Sequence, residues 1–173
     1  MFTGVPHELY SRVLQEACVD WRKALMTLKQ AYGGLADAPL NPLGNAIVAC
    51  YALERCYDVV LEPAVAVLDR RFNLDVALKM GDEMLMILEV KLHRRNTRIP
   101  ETQVDEIYAL GYHVPLLRRG IRVGAMHLYT SGQPPEPANR WTVVAYLPPQ
   151  QQQVSVHVDG AINRLLARLR VRR

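Results

Sequence analysis

The sequence is poor in cysteine and in long apolar runs, and both shortages narrow the class of protein. Its three cysteines, Cys18, Cys50 and Cys56, are an odd number without a Cys-x-x-Cys pair, which argues against a disulfide framework and a zinc knuckle and favours a reducing compartment. No apolar run, Met84–Leu88 included, approaches the length that a membrane span requires. The start of the chain lacks the basic and apolar segments of a secretory signal. We therefore expect a cytoplasmic protein with no membrane partner.

Several catalytic signatures are absent as well. The chain has no glycine-rich phosphate loop and no nucleophile elbow, so nothing indicates an enzyme acting on a nucleotide cofactor or through an activated serine. His7-Glu8 is not followed by a second histidine at helical spacing, which excludes a zincin motif. His113, His127 and His157 are too dispersed along the sequence to suggest a set of metal ligands. His93 is interpreted as a surface histidine, with support of a neighbouring site as the alternative. A small-molecule enzyme is accordingly the least supported class.

What the chain does have is enough apolar sequence for one well-buried core. It contains 173 residues, of which half are hydrophobic and 22% are charged, the balance of a single globular domain with appendages. The net charge of +4 favours a polyanionic partner only weakly, so the placement of the charges matters more than their sum.

The hydrophobic periodicity predicts an α/β order of helices and strands. A helix over residues 6–31 precedes a proline-containing loop, Leu35–Gly44, and the tail over 148–173 ends in a short strand and a last helix. Between the loop and the tail, the predicted elements are a helix Asn45–Cys56, strands Tyr57–Leu68, Phe72–Met80 and Met84–Leu92, a helix Pro100–Tyr112, and strands Ile121–Thr130 and Trp141–Leu147. The strand predicted in the tail is Val154–Val158, and the helix is Gly160–Arg170.

The third predicted strand carries an unusual pattern of charge. Side chains alternate between the two faces of a strand, and here one face is apolar at Leu85 and Ile87 but ionic at Glu89 and Lys91. A hairpin between the second and third strands would bring Asp75 to the level of Glu89. Two neighbouring carboxylates form an oxygen-rich site for a hard divalent cation, whereas the simpler alternative is a structural ion pair on the sheet.

Asp75 followed by Glu89-Val90-Lys91 resembles the motif of the PD-(D/E)xK nucleases, the restriction-endonuclease-like superfamily. The resemblance covers residues 43–130 and implies an αβββαβ core with a mixed central sheet, to which the N-terminal helix 6–31 and the C-terminal appendage 148–173 are added in one domain. It further implies that Asp75 and Glu89 hold Mg²⁺ or Mn²⁺, and that Lys91 positions or activates the attacking water. The implied activity is metal-dependent hydrolysis of DNA by an endodeoxyribonuclease.

Four further positions are compared with the same family. Many relatives place a metal-binding glutamate on the first core helix, where this chain has Asn45, and Glu62 on the first strand is a candidate replacement. Gln103 and Tyr108 resemble a Gln-x-x-x-Tyr element of some members, although their spacing is one residue too long. The alternative for this pair is that Tyr108 belongs to the core and Gln103 faces solvent.

Arginines gather directly after the ionic strand, at Arg94, Arg95 and Arg98, where they could bind a phosphate backbone. A second group is Arg118, Arg119 and Arg122. For a third, Arg164, Arg168 and three arginines at the end of the chain, a solvated helix face is as well supported as contact with nucleic acid. The partner implied is nucleic acid, in particular DNA, and a homodimer through the N-terminal helix would allow both strands to be cut. The replacement of the helix acid by Asn45 favours the alternative function, a noncatalytic binding or assembly protein that retains the nuclease fold.

Overall fold

The computed structural model describes residues 5–34, 38–95 and 98–169, in which the chain forms six helices and seven strands. The helices are α1 His7–Val19, α2 Trp21–Ala31, α3 Asn41–Glu54, α4 Gln103–Ala109, α5 His113–Arg118 and α6 Ser155–Arg168. The strands are β1 Asp58–Leu61, β2 Ala64–Val67, β3 Arg70–Asn73, β4 Val76–Met80, β5 Glu83–His93, β6 Arg122–Tyr129 and β7 Thr142–Tyr146.

Five of the strands form a central mixed sheet in the order β1-β4-β5-β6-β7. The first three are antiparallel neighbours, whereas β5 pairs in parallel with β6, and β6 with β7. The β4–β5 hairpin closes between Met80 and Glu83, and Gly81 adopts a positive φ of 59° there, a backbone conformation that favours glycine. The mixed α/β sheet expected from the sequence is therefore confirmed.

Helices cover both faces of this sheet. The first face packs against α1, α2, α3 and α6, and its sheet residues include Leu88, Val90 and Met126. The second face packs against α4, α5 and the β2–β3 hairpin, and its sheet residues include Ile87 and Ala125. Because successive strand residues point to opposite faces, each strand of the middle of the sheet contributes to both cores.

The expectation of one helix over residues 6–31 is wrong, because the chain breaks at Asp20 into α1 and α2. Asp20 has an extended backbone (φ −154°, ψ 106°), and its Oδ1 accepts a hydrogen bond of 3.0 Å from the backbone N–H of Arg22. The Arg22 guanidinium also donates to both carboxylate oxygens at 2.9 Å. These bonds hold the pKa of Asp20 below its usual range, so the carboxylate remains ionised as the cap of α2.

Helix α3 begins earlier than the sequence indicated. Prolines in Leu35–Gly44 suggested a loop, but Pro42 lies in the first turn of α3, where a missing N–H leaves no helical hydrogen bond unmade. Every residue of α3 from Pro42 to Ala52 is buried, so this helix crosses the interior of the protein. Asn45 thus lies one turn inside a buried helix, not at its start.

The predicted strands Tyr57–Leu68 and Phe72–Met80 are each interrupted. Glu62 adopts a positive φ of 51° and is followed by Pro63, so β1 ends there and β2 leaves the central sheet. The backbone N–H of Glu62 donates to the carbonyl of Asp75 at 2.9 Å, which ties the two interruptions together. Strands β2 and β3 consequently form a separate hairpin, and Asp75 lies at the junction directly before β4.

In the C-terminal segment the expected last helix is present as α6, but the expected strand before it is wrong. Residues Val154–Val158 alternate like a strand, but they start α6, whose buried residues Val158, Ala161, Ile162 and Leu165 recur at helical spacing. Asp159, which directly precedes the predicted helix Gly160–Arg170, lies inside α6. Arg170 and the arginines after it lie outside the described residues.

The cysteines differ from expectation as well. Cys18 of α1 and Cys50 of α3 are joined as a disulfide with their Cα atoms 5.3 Å apart, while Cys56 is free and exposed. The prediction that no disulfide forms is therefore wrong for this pair. Within the described ranges, no helix is both long enough and apolar enough to cross a membrane.

Two glycines allow a direct test of the α6 packing. A Cβ at Gly124 of β6 would lie 2.5 Å from Cδ2 of the buried Leu165, so Gly124→Ala should lower the free energy of unfolding by about 1–3 kcal/mol through overpacking. Gly160→Ala, within α6, meets only the flexible end of Arg164 and should raise it by about 0.5–1 kcal/mol. Urea denaturation of both variants measures the difference. Equal effects of the two substitutions would contradict this packing.

Candidate functional site

Asp75 lies alongside the middle of β5. The register pairs Val76 with Leu88, which brings the preceding Asp75 to the level of Glu89. The backbone N–H of Asp75 donates to the Leu88 carbonyl at 2.9 Å, and its side-chain Oδ2 accepts from the backbone N–H of Val90 at 2.7 Å. The predicted hairpin, which brings Asp75 to the level of Glu89, is thus present as the antiparallel pair β4–β5.

The carboxyl of Asp75 is only half exposed, and burial raises its pKa above the usual range. The negative charge of Glu89 raises the pKa further, whereas the hydrogen bond from Val90 and the positive charge of Lys91 lower it. Asn45 Nδ2 contributes a weaker contact, 3.5 Å from Asp75 Oδ1. The charged form of Asp75 is therefore destabilised by its surroundings in the protein as described.

Glu89 and Lys91 form an ion pair on the face of β5 that packs toward α4. Lys91 Nζ lies 3.2 Å from Glu89 Oε1, and Glu89 as a whole is 4% exposed. The other carboxylate oxygen of Glu89 accepts a hydrogen bond of 3.4 Å from the backbone N–H of Val104 in α4. A nearly buried carboxylate needs such partners, because an unpaired charge in an apolar interior is strongly unfavourable.

The site has more negative than positive charge. Asp75 and Glu89 contribute two carboxylates, and within the described residues Lys91 is the one cation in an ion pair with either of them. Asn45 is 1% exposed, and its Oδ1 is buried with no hydrogen-bond partner among those residues. Two carboxylates and an unpartnered amide oxygen are hard oxygen donors, the type that Mg²⁺ and Mn²⁺ bind.

Glu62 does not complete a set of carboxylate ligands. No group of three or more His, Cys, Asp or Glu side chains suited to a metal ion occurs in the parts of the chain that are described. The backbone N–H of Glu62 instead donates a hydrogen bond to the carbonyl of Asp75. The side-chain charges of both residues also affect the pKa of Tyr10 in α1. Burial is the main cause that raises the pKa of Tyr10 above its usual range, and the charges of Glu62 and Asp75 add to it.

Tyr10 was missed by the sequence reasoning, which treated the N-terminal helix as an addition outside the core. In the structure α1 packs on α3, and Tyr10 is 3% exposed close to the acidic site. Tyr10 shares the buried face of α1 with Val13 and Ala17, but nothing in the sequence related that face to Asp75.

Gln103 and Tyr108 point to different places. Gln103 Nε2 donates to the carbonyl of Asn73 at 2.9 Å, close to the Asp75 junction, whereas Tyr108 Oη donates to the carbonyl of Val123 at 2.8 Å on β6. Five residues along a helix turn a side chain by about 140°, so the two cannot share a face. Burial raises the pKa of Tyr108 to about 12, and its ring stacks on Trp141.

The arginines after β5 are also divided. Arg94 is half buried and donates through Nη2 to the carbonyl of Ala38 at 3.4 Å. Arg95 and Arg98 are exposed, and Arg98 lines a shallow surface cavity with Ile99. Two of the three predicted nucleic-acid contacts are thus accessible, while Arg94 is directed toward the chain itself.

A pair of histidines lies beside Lys91 and was not recognised from the sequence. His93 Nε2 and His127 Nδ1 are 2.8 Å apart, and the parallel register sets His127 directly against Lys91. Burial lowers the pKa of His127 to about 4, with the neighbouring His93 adding to the effect. The signal lay in the alternation of β6, where Ala125, His127 and Tyr129 share the face of Glu89 and Lys91, but it could be used only once the β5–β6 register was known.

The raised pKa of Asp75 gives a prediction about stability and pH. At low pH the group is protonated in both the folded and unfolded states. As pH rises, the unfolded chain ionises first at about pH 3.9, so the folded protein loses stability until its own raised pKa is passed. Asp75→Asn should therefore increase stability at pH 7 by about 1 kcal/mol, which is about 2–4 °C in Tm, and have a smaller effect below pH 4.

Thermal unfolding at both pH values in the presence of EDTA measures this difference. Asp82→Asn, in the exposed β4–β5 turn, is the matched control and should show no such dependence. A loss of stability in Asp75→Asn at pH 7 would mean that its carboxylate is stabilised, not destabilised, by its neighbours.

Comparisons with known proteins identify no family for this chain. No family model matches the chain, and neither does any curated protein. One match among solved structures is a chain in a refined half-complex from a tetradecameric assembly of Thermococcus gammatolerans McrB AAA+ hexamers with bound McrC. It is 11% identical with a TM-score of 0.45, and the match covers 74% of this chain and 34% of that one. This chain thus spans about a third of its length, and a likeness this low carries no argument about fold or function.

Proposed function

We propose that the chain is a metal-dependent nuclease that hydrolyses DNA phosphodiester bonds, with Asp75, Glu89 and Lys91 at its centre. The single observation that carries the proposal is the meeting of two carboxylates from adjacent strands with one ammonium in a half-buried site. Helix α3, the β1-β4-β5 meander, α4 and β6 follow the order of an αβββαβ core, with the β2–β3 hairpin as an insertion. This order supports a restriction-endonuclease-like assignment.

The residues present fit a divalent cation. Asp75 and Glu89 would hold it through carboxylate oxygens, and Asn45 through its unpartnered amide oxygen, which an amide rotation can direct toward Asp75. A bound Mg²⁺ or Mn²⁺ supplies charge stabilisation at the phosphate and lowers the pKa of a coordinated water. The excess of negative charge and the raised pKa of Asp75 both indicate a site that gains stability when a cation is added.

The other groups have roles that follow from their contacts. Lys91 is 29% exposed at its side chain, so its ammonium can reach a phosphate oxygen while it stays near Glu89. The Val90 N–H orients the Asp75 carboxylate, and the Val104 N–H orients that of Glu89. The exposed Arg95 and Arg98 would bind flanking phosphates without sequence preference.

The alternative is a noncatalytic nucleic-acid-binding or assembly protein with the same fold. The observation that favours it is the neutral side chain of Asn45, which leaves two carboxylates where a third acid would strengthen cation binding. In that case binding would survive EDTA and no turnover would occur.

Cleavage of plasmid DNA tests the proposed activity. With Mg²⁺ or Mn²⁺ the wild-type protein should nick or cut the plasmid, and Asp75→Asn, Glu89→Gln and Lys91→Met should each reduce the rate about 100-fold or more. Glu83→Gln, exposed at the start of β5, is the matched control and should cleave like the wild type. Calorimetric titration with Mg²⁺ gives a second readout, in which Glu89→Gln loses binding. Equal cleavage by every variant would remove the assignment.

Asn45→Asp tests whether this position faces the cation. A third carboxylate beside Asp75 should lower Tm in EDTA, because like charges repel in a site closed to solvent. It should also increase Mg²⁺ affinity about tenfold, so that Mg²⁺ raises Tm more than in the wild type. Asn45→Leu, which has no oxygen ligand, should respond less to Mg²⁺ than the wild type. If Mg²⁺ shifts Tm equally in all three proteins, Asn45 does not contact the metal.

A further inference from the structure

A second cavity lies away from Asp75, at the start of β6. It has a volume of about 660 Å³, within the range of small-molecule sites. Its walls come from α4 and α5, from the start of β6, from the turn before β7 and from the end of α6. The lining includes Tyr108, Leu117, Ile121, Arg122, Arg140 and Arg168.

The charge of this cavity is of one sign. Arg122, Arg140 and Arg168 line it, and no aspartate or glutamate does among the described residues. None of the three arginines forms an ion pair in those parts of the chain. The Nε of Arg122 is moreover buried and has no hydrogen-bond partner there. Three guanidinium groups that line one cavity without a counter-charge create a positive potential that attracts an anion.

Hydrogen bonds in the walls anchor the side chains of Arg168 and Tyr108. Arg168 Nη1 donates to the carbonyl of Thr142 at 3.0 Å on the edge strand β7, which fixes its side chain and leaves its other N–H groups for a ligand. The ring of Tyr108 stacks between His113 at 4.3 Å and Trp141 at 4.2 Å, and its hydroxyl is anchored on Val123. The cavity thus has an anchored arginine, Arg168, in one wall and a rigid aromatic stack in another.

We propose that this cavity binds the phosphate group of a nucleotide unit through Arg122, Arg140 and Arg168. A guanidinium presents paired N–H donors that match the oxygens of phosphate. The volume exceeds what a phosphate ion fills, and Leu117 and Ile121 provide apolar surface for a base or sugar. The same chemistry is offered by a free nucleotide and by the phosphorylated end of a DNA strand.

The site is separate from the acidic centre and does not depend on the proposed nuclease activity. Arg122 pairs with Met86 in the β5–β6 register, whereas Glu89 pairs with Ala125. The two positions are three residues apart on β6, which is about 10 Å along the strand. Binding in this cavity therefore requires neither Asp75 nor a metal ion.

Calorimetric titration of the full chain in EDTA, with 2′-deoxyadenosine 5′-monophosphate and with 2′-deoxyadenosine, tests the proposal. The monophosphate should bind at least about tenfold more tightly than the nucleoside, because charge-assisted hydrogen bonds to the phosphate are lost in the latter. Arg140→Gln and Arg122→Gln should each weaken the monophosphate about tenfold or more. Arg140 is exposed, so its variant removes the charge without disturbing the core.

Arg119→Gln is the matched control, since Arg119 is an exposed arginine close in sequence to Arg122 that does not line the cavity. It should change the affinity less than about twofold, as expected for an exposed charge that does not contact the ligand and is screened by salt. Equal weakening by Arg119→Gln, equal binding of the nucleoside, or no binding of the monophosphate would each overturn the proposal.

A competition experiment distinguishes the two sources of phosphate. If a 5′-phosphorylated duplex displaces the monophosphate and the same duplex with 5′-hydroxyl ends does not, the ligand is a strand end. If neither duplex competes while the monophosphate still binds, the ligand is a free nucleotide. Both outcomes support a phosphate site, and cleavage of plasmid DNA is measured separately, so failure of one proposal leaves the other to be judged by its own experiment.

Discussion

The antiparallel pairing of β4 with β5 determines where the charged groups of the sheet meet. It sets Asp75 beside Glu89, and the Asp75 carboxylate accepts a hydrogen bond from the Val90 N–H. The charge of Glu89 raises the pKa of Asp75, whereas the charge of Lys91 lowers it. A shift of one residue in this register would turn Glu89 and Lys91 toward the apolar core against α3. Apolar packing on both faces of β5 prevents that shift, so the core determines the geometry of the ionic site.

Helix α3 adds a second constraint, because it lies against the same strand. A Cβ at Gly44 would be 3.2 Å from Val90 Cγ1, so the helix approaches β5 closely just before Asn45. That approach holds the amide of Asn45 near Asp75 in a region that is closed to solvent. An amide can donate to a carboxylate or present its oxygen to a cation, and it does so without adding another buried negative charge. A short neutral side chain thus suits the site whether or not it holds an ion.

The sequence predicted the parts of the fold in which periodicity is strong, and it failed where side chains or backbone torsions interrupt a regular pattern. The ionic end of β5, the β4–β5 hairpin and both parallel strands followed from alternation and from the turn at Gly81. The break at Asp20 depends on hydrogen bonds with Arg22, and the break at Glu62 on a positive φ, neither of which a hydrophobic pattern reports. Tyr10 and His127 reach the site only through packing between distant elements, so their positions could not be read from spacing.

The acidic centre and the arginine cavity place opposite charges on one sheet at backbone positions about 10 Å apart along β6. At physiological ionic strength the Debye length is about 8 Å, so charges exposed at the two sites interact weakly through solvent. At 0.01 M salt it is about 30 Å, and the three arginines then oppose the entry of a cation while attracting a polyanion to the whole surface. At ordinary salt concentrations, the residues of the acidic centre therefore determine the binding of a cation, and the arginines of the cavity determine the binding of a phosphate. Electrostatic coupling between the two sites is expected only at low salt. Varying the ionic strength therefore distinguishes the effect of the residues in each site from the electrostatic potential of the whole protein.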